Sequence, residues 1–153
     1  LVYTTWGTIT WLPDITKWAS VVAAMLKRGG RFYIADGHPT MLVMEEEDGH
    51  LVHKYPWKTM PKSPMHFDEE ITYTGEPMPQ EASDSYDWAH PLSSIIGGLL
   101  DAGLRLDFLH EHDTVAWPYV NLMVPDGDEP RMYRLPDTLP PLPLSFSLGA
   151  TKH

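Results

Sequence analysis

The sequence predicts an α/β fold whose sheet is mostly parallel and closes on an antiparallel strand. Three observations predict it. The first forty residues read as strand, loop, helix, glycine turn and strand, one complete βαβ crossover. A second helix-then-strand pattern occupies residues 91–110. The final strand, Leu142–Thr151, has no helix before it, so it joins antiparallel to the strand at 104–112.

Residues 1–6, Leu-Val-Tyr-Thr-Thr-Trp, are β-branched and aromatic without a charge, as in a strand covered on both faces. Residue 1 is not Met and already lies inside this strand, so the expectation is that something precedes the crossover. Ile15, Trp18, Val22, Met25 and Leu26 recur at helical spacing, which predicts a helix over 13–27 opened by Pro13. Lys27 and Arg28 suit the negative end of its dipole, and Gly29 is expected as its left-handed cap. Arg31–Asp36 is the second strand, parallel to the first and beside it.

Residues 39–90 are expected to form an irregular insertion, a cap over the carboxyl ends of the strands, within one domain spanning 1–153. Met41–Glu46 and His50–Tyr55 flank Asp48-Gly49, a hairpin signal, although Glu45–Asp48 can also extend a helix or form a solvated turn. His66–Thr74 reads as a further strand. A helix over 91–102 carries Leu92, Ile95, Ile96, Leu99 and Leu100 on one side, and Gly103 ends it. Gly97-Gly98 inside it reads as a close-packing site. Leu104–His110 alternates as a strand, 113–130 is a loop turning at Asp126-Gly127-Asp128, and Met132–Arg134 is a short edge piece.

Composition narrows the function. At 153 residues, 42% apolar and 21% charged, the chain can bury a core and is not a disordered segment. Its net charge of −10 argues against nucleic acid and against an anionic membrane surface as partners. With no cysteine, disulfides, thiolate metal sites and cysteine nucleophiles are excluded, which fits a cytoplasmic chain. The first residues lack a signal-peptide pattern, and Gly97, Gly98 and Asp101 interrupt the longest apolar helix, so no membrane span is expected. The 15 prolines gather at 56–79 and 136–143 and mark irregular segments.

Several runs together resemble a known superfamily. They are Leu1–Gly7, Trp11-Leu12-Pro13-Asp14, Leu26-Lys-Arg-Gly-Gly-Arg-Phe-Tyr33, the stretch from Trp88 to His112, and Pro143–Lys152. The chain resembles the C-terminal half of a class I S-adenosylmethionine-dependent methyltransferase. The resemblance implies half of a Rossmann-like sheet, strands four to seven in the order 4-5-7-6 with the last antiparallel. The family's acidic, glycine-rich cofactor loop, E/D-x-G-x-G, is absent from this sequence.

The resemblance also implies roles. Thr5, Trp6 and Gly7, at the carboxyl end of the first strand, would face the methionine part of the cofactor. Trp11 lines that pocket or staples the helix. Tyr86, Trp88 and His90 would line the acceptor site. His38, at the end of the second strand, is a candidate base or substrate contact, since an imidazole titrates near neutrality. His110 and His112 share a strand face, but no third ligand accompanies them, so no metal site is expected. S-adenosylmethionine is expected to bind only if an N-terminal half is supplied. The unpaired edge of strand 1–6 is expected to pair with that half or with a second copy. The alternative is a non-catalytic α/β fragment that dimerises through this edge, and a weaker one is a metal or small-ligand binder using the 39–90 excursion.

Overall fold

The structure, a computed structural model, describes residues 1–68, 84–127 and 131–153. Its centre is a four-stranded sheet of β1 (Val2–Thr5), β2 (Arg31–Gly37), β7 (Leu104–His112) and β11 (Ser145–Lys152), in the order β1-β2-β11-β7. β1 and β2 are parallel, with Val2 opposite Phe32 and Thr5 opposite Ala35. β11 is antiparallel to β2 and to β7. This is the order, 4-5-7-6, that the resemblance implies.

The crossover forms because apolar residues repeat first at the strand period and then at the helix period. α1 (Ile15–Met25) starts later than predicted, because the Asp14 side chain caps it by accepting the Lys17 N–H at 2.9 Å. Pro13 lies before that cap, and a short 3₁₀ turn, Ile9–Trp11, precedes it. The helix also ends early. Leu26 is extended, its side chain 5% exposed in the core, so Lys27 and Arg28 fall beyond the last turn. Gly29 has φ +72° but sits in the following turn, not at the helix cap.

α3 (Leu92–Asp101) packs on α1 and leads into β7. A Cβ at Gly98 would stand 3.3 Å from the Cβ of Ala19, so the predicted close-packing role holds there, whereas a Cβ at Gly97 meets nothing within 4 Å. Both helices lie on one face of the sheet, over Phe32, Ile34, Phe146 and Leu148. The opposite face carries Tyr3, Tyr33 and Phe108, all exposed.

The described parts of the 39–90 stretch are more regular than expected. α2 (Pro39–Leu42) replaces the start of the predicted Met41 strand. β3 (Met44–Glu47) and β4 (His50–His53) form the expected hairpin around Asp48-Gly49, both at positive φ. β5 (Met65–Asp68) pairs with β6 (Asp84–Asp87); the remainder of the predicted 66–74 strand lies outside the described residues. β8 (Thr114–Val115), β9 (Val124–Pro125) and β10 (Tyr133–Arg134) make a small sheet. β10 is its central strand and not an edge piece, with partners on both sides. Asp128 of the predicted 126–128 turn is outside the described residues. A second core of Met41, Val115, Val120, Met123, Leu135 and Leu144 holds this region together. Among the described residues no helix is long and apolar enough to cross a membrane.

Candidate functional site at the strand ends

β1 and β2 run the same way, so their carboxyl ends share one rim of the sheet. Asp36 organises that rim. It is 2% exposed, and its Oδ1 accepts the N–H of Gly7 at 2.6 Å and of Gly37 at 2.8 Å. Its Oδ2 is buried and has no hydrogen-bond partner among the described residues. Burial pushes the Asp36 carboxyl above its ordinary pKa, while the N–H groups of Gly7, Gly37, Ile9 and Thr8 favour its ionised form. Gly7 has φ +73°, a conformation that suits glycine, and this turns its N–H onto Asp36. Thr8 and Thr10 hydroxyls close the same turn by donating to the carbonyls of Thr5 and Gly7.

The turn presents Trp6, 39% exposed, whose ring meets Trp117 edge-on with centroids 5.5 Å apart. Trp117 also lies over Gly37. Thr5, Trp6, Gly7 and Asp36 thus come together as the strand ends require. Trp11 follows on the 3₁₀ turn and is 49% exposed, which does not fit a core staple.

The predicted lining residues reach the same turn from the chain's middle. Trp88 donates its backbone N–H to Thr10 O at 2.8 Å and its indole N–H to Pro61 O at 3.1 Å. His90 donates through Nε2 to Leu12 O at 2.7 Å, and burial holds its pKa below the usual imidazole value. Tyr86 is less involved with the rim: its side chain is 47% exposed and its ring lies 5.1 Å from His66. A groove of about 420 Å³ opens between the start of α1, α3 and residues 58–61. Of the predicted set only His90 lines it, so it is distinct from the Trp6 rim.

His38 is buried, with both ring nitrogens engaged. Nδ1 accepts the Thr40 N–H at 3.0 Å and caps α2, so in the neutral ring Nε2 carries the proton toward Glu111 at 2.9 Å. Burial lowers its pKa, and Glu111 partly opposes this. A base role at His38 requires the Thr40 contact to break first.

His110 and His112 share a face, ring centroids 6.3 Å apart, and His112 instead meets Ser147 Oγ at 2.9 Å. Among the described residues no three His, Asp or Glu side chains converge on a metal position.

The Glu45–Asp48 run is not only a solvated turn. Tyr55 donates its hydroxyl to Glu45, and the Leu122 N–H donates to Glu46 Oε2 at 3.0 Å. Burial, and then the charges of Glu45 and Asp87, push the Tyr119 hydroxyl up to about 12. Sequence reasoning missed Asp36, Trp117 and this Tyr–Glu contact. Only Asp36 carried a signal, as a lone carboxylate ending an apolar strand.

No family model matches the chain, and no curated protein matches it. Solved structures do. One is a Listeria monocytogenes protein assigned as an S-adenosylmethionine-dependent methyltransferase, at 17% identity and TM-score 0.56, covering 99% of this chain. Another is an S-adenosylmethionine-dependent methyltransferase of Mesorhizobium loti, at 12% identity and TM-score 0.57, covering 98% of this chain. The chain spans 60% of the length of each. Its fold is therefore the α/β arrangement that these methyltransferases contain.

Proposed function

We propose that this chain is the C-terminal part of an S-adenosylmethionine-dependent methyltransferase acting on a small molecule, inactive until a cofactor-binding half is supplied. One observation carries the reading. The sheet order β1-β2-β11-β7 brings the turn at Thr5, Trp6 and Gly7 beside Asp36 on a single rim. The fold it shares with methyltransferases supports it.

The residues present fit the methyl-bearing end of the cofactor and not its nucleoside end. An exposed indole at Trp6, braced by Trp117, is a surface that accepts a cationic sulfonium. The glycine-rich acidic turn that would receive the rest is absent from this sequence. When bound, the cofactor would supply an electrophilic methyl group. This chain would then orient the acceptor, with Trp6 and Trp11 on one side and Trp88 and His90 closing the turn behind them. The 39–90 segment serves as the cap in this reading. A competing reading, a non-catalytic α/β module, draws on the edge of β1 that no strand among the described residues pairs.

Calorimetric titration of S-adenosylmethionine into the 153-residue chain tests the first reading. No binding is expected from the chain alone, and micromolar binding would overturn the need for a second half. The same titration into a longer chain, extended by whatever the gene encodes before Leu1, should bind. An upstream sequence without an acidic glycine-rich turn would sink the methyltransferase reading.

A further inference from the structure

We propose that His38 is an acid-released latch: as the neutral ring it holds α2 onto the end of β2, and on protonation it lets α2 and the Trp117 ring leave the Trp6 rim. β2 ends at Gly37 and α2 begins at Pro39, so His38 is the single residue between them. Its backbone joins both sides. The His38 N–H donates to Leu144 O at 3.0 Å, and its carbonyl accepts the Met41 and Leu42 N–H groups at 2.9 and 3.2 Å. Pro39 has no N–H, so Thr40 carries the first donor of α2, and that donor goes to the ring at Nδ1. α2 has four residues, too few to persist without such ties. The ring is enclosed, with His38 5% exposed and Phe146 edge-on at 6.4 Å.

A neutral imidazole has one lone-pair nitrogen and one N–H nitrogen, and here both are engaged. The lone pair of Nδ1 faces the Thr40 N–H, and Nε2 directs its proton to Glu111 Oε1 at 2.9 Å. A second proton can go only on Nδ1. Two donors then face each other at hydrogen-bond distance, and Thr40 loses its acceptor in a buried place. The Glu111 contact responds in the opposite sense, because an imidazolium binds a carboxylate more strongly than a neutral ring does. Protonation therefore keeps the ring on β7 and breaks it from α2. Glu111 is the charged group that faces the ring from β7. Phe146 on β11, Leu144 before it, and Thr40 and Met41 of α2 carry no charge. On β2 itself Asp36 lies two residues back, its Oδ1 committed to Gly7 and Gly37. Burial outweighs Glu111 and holds the ring below the ordinary imidazole value, so the latch is closed at neutral pH. A base lowered in the closed form leaves that form intact above the ordinary value, about 6.5, and weakens it as pH falls below.

Contacts carry the change from α2 to the rim. Leu42 and Trp117 both lie over Gly37, where an added Cβ would stand 3.5 Å from each. Trp117 in turn meets Trp6 edge-on, centroids 5.5 Å apart. α2 also leads into the β3–β4 hairpin, and the Lys54 and Tyr55 N–H groups that follow β4 return to Val43 O at 3.0 and 3.1 Å. When its first turn is released, α2 takes Leu42 from beside Trp117 and loosens the hairpin behind it. The indole pair then opens toward solvent. The proposal does not rest on the methyltransferase reading, because every group in it belongs to the described chain.

Proton NMR of the His38 ring, amide exchange and tryptophan emission, followed through one pH series, are the test. As the ring titrates, exchange at Thr40, Met41 and Leu42, corrected for its intrinsic pH dependence, should speed up by as much as about tenfold per pH unit, the slope that one linked proton gives. The β11 amides should keep their corrected rates, and tryptophan emission should shift to the red with the same midpoint. His38→Asn keeps a side-chain acceptor at the start of α2 and has no second proton to take, so both responses should vanish. Glu111→Gln removes the charge that favours the imidazolium and leaves the Thr40 contact in place. Ring titration and both responses should then move to lower pH together. This variant carries the test if His38→Asn does not fold. Amides of α2 that hold their rates while the ring titrates overturn the proposal, as does a response that survives in folded His38→Asn. Ring and amide midpoints that differ, or a ring that stays neutral until the whole chain unfolds, overturn it as well. None of these outcomes decides whether S-adenosylmethionine binds a longer chain, so the two readings fail separately.

Discussion

A carboxylate buried at the end of a strand persists only if donors surround it, and Asp36 shows how close that balance is. Two N–H groups satisfy Oδ1, while Oδ2 is buried and has no partner among the described residues. Its folded pKa is raised, above all by burial. A raised acid contributes stability that is complete below its unfolded pKa, about 3.9, and is lost as pH rises through the folded value. Asp36→Asn keeps an acceptor for Gly7 and Gly37 without any charge to bury. It should therefore match or exceed the parent's stability at neutral pH and show a flatter profile across the acid range. Asp36→Ala strands both N–H groups and should cost about 1–3 kcal/mol. Thermal melts of the three proteins at several pH values check this; an Asn variant as unstable as the Ala variant would contradict the assignment. The role was invisible in sequence because it depends on β1 and β2 lying parallel and adjacent, which sets Gly7 against a residue 29 positions away.

Elements were legible where one period ran long enough to be unambiguous. α1 with its flanking strands, and α3 with β7, are such runs, and both exist with ends moved by a few residues. The ends moved because a side chain decides them: Asp14 caps α1, and Leu26 leaves the helix to reach the core. β6, β8 and β9 are two to four residues long and are stabilised by partners elsewhere in the chain, so no local pattern marked them. The paired glycines of α3 show what packing adds to pattern. Gly97 has open space around it and Gly98 touches α1. Gly97→Ala should stabilise by up to about 1 kcal/mol through helix propensity alone. Gly98→Val forces bulk against Ala19 and the Ile15 carbonyl and should cost about 1–3 kcal/mol. Urea unfolding should give these neighbours opposite signs; a shared sign would mean that α1 and α3 do not pack as described.

At the scale of the whole molecule, two cores of unequal construction meet where the chain enters β11, the first holding Phe146 and Leu148 and the second Leu144. The first lies under α1 and α3, and the second joins the hairpins to Leu144, whose backbone bonds to His38 and His112. β11 is buried from Ser145 to Ala150 and paired on both edges, so its amides should open only with global unfolding. The β3–β4 hairpin has only four residue pairs, too few to stand alone in water. It depends on further ties: the Tyr55 hydroxyl on Glu45, which closes the hairpin's own open end, and Glu46 on the N–H of Leu122, which packs on the second core. Burial, and next Glu45 itself, push the Tyr55 hydroxyl well above its ordinary pKa, so it remains a donor throughout the range in which the protein is handled. Tyr55→Phe removes that donor and leaves the ring against Phe67. Hydrogen exchange should then speed up at Met44–Glu47 and His50–His53 by roughly the factor of 5–10 that a net hydrogen bond of about 1 kcal/mol implies. The amides of β2 and β11 should keep their rates. Equal acceleration in all four strands would mean that the hairpin unfolds only with the central sheet, and that the two cores form one cooperative unit.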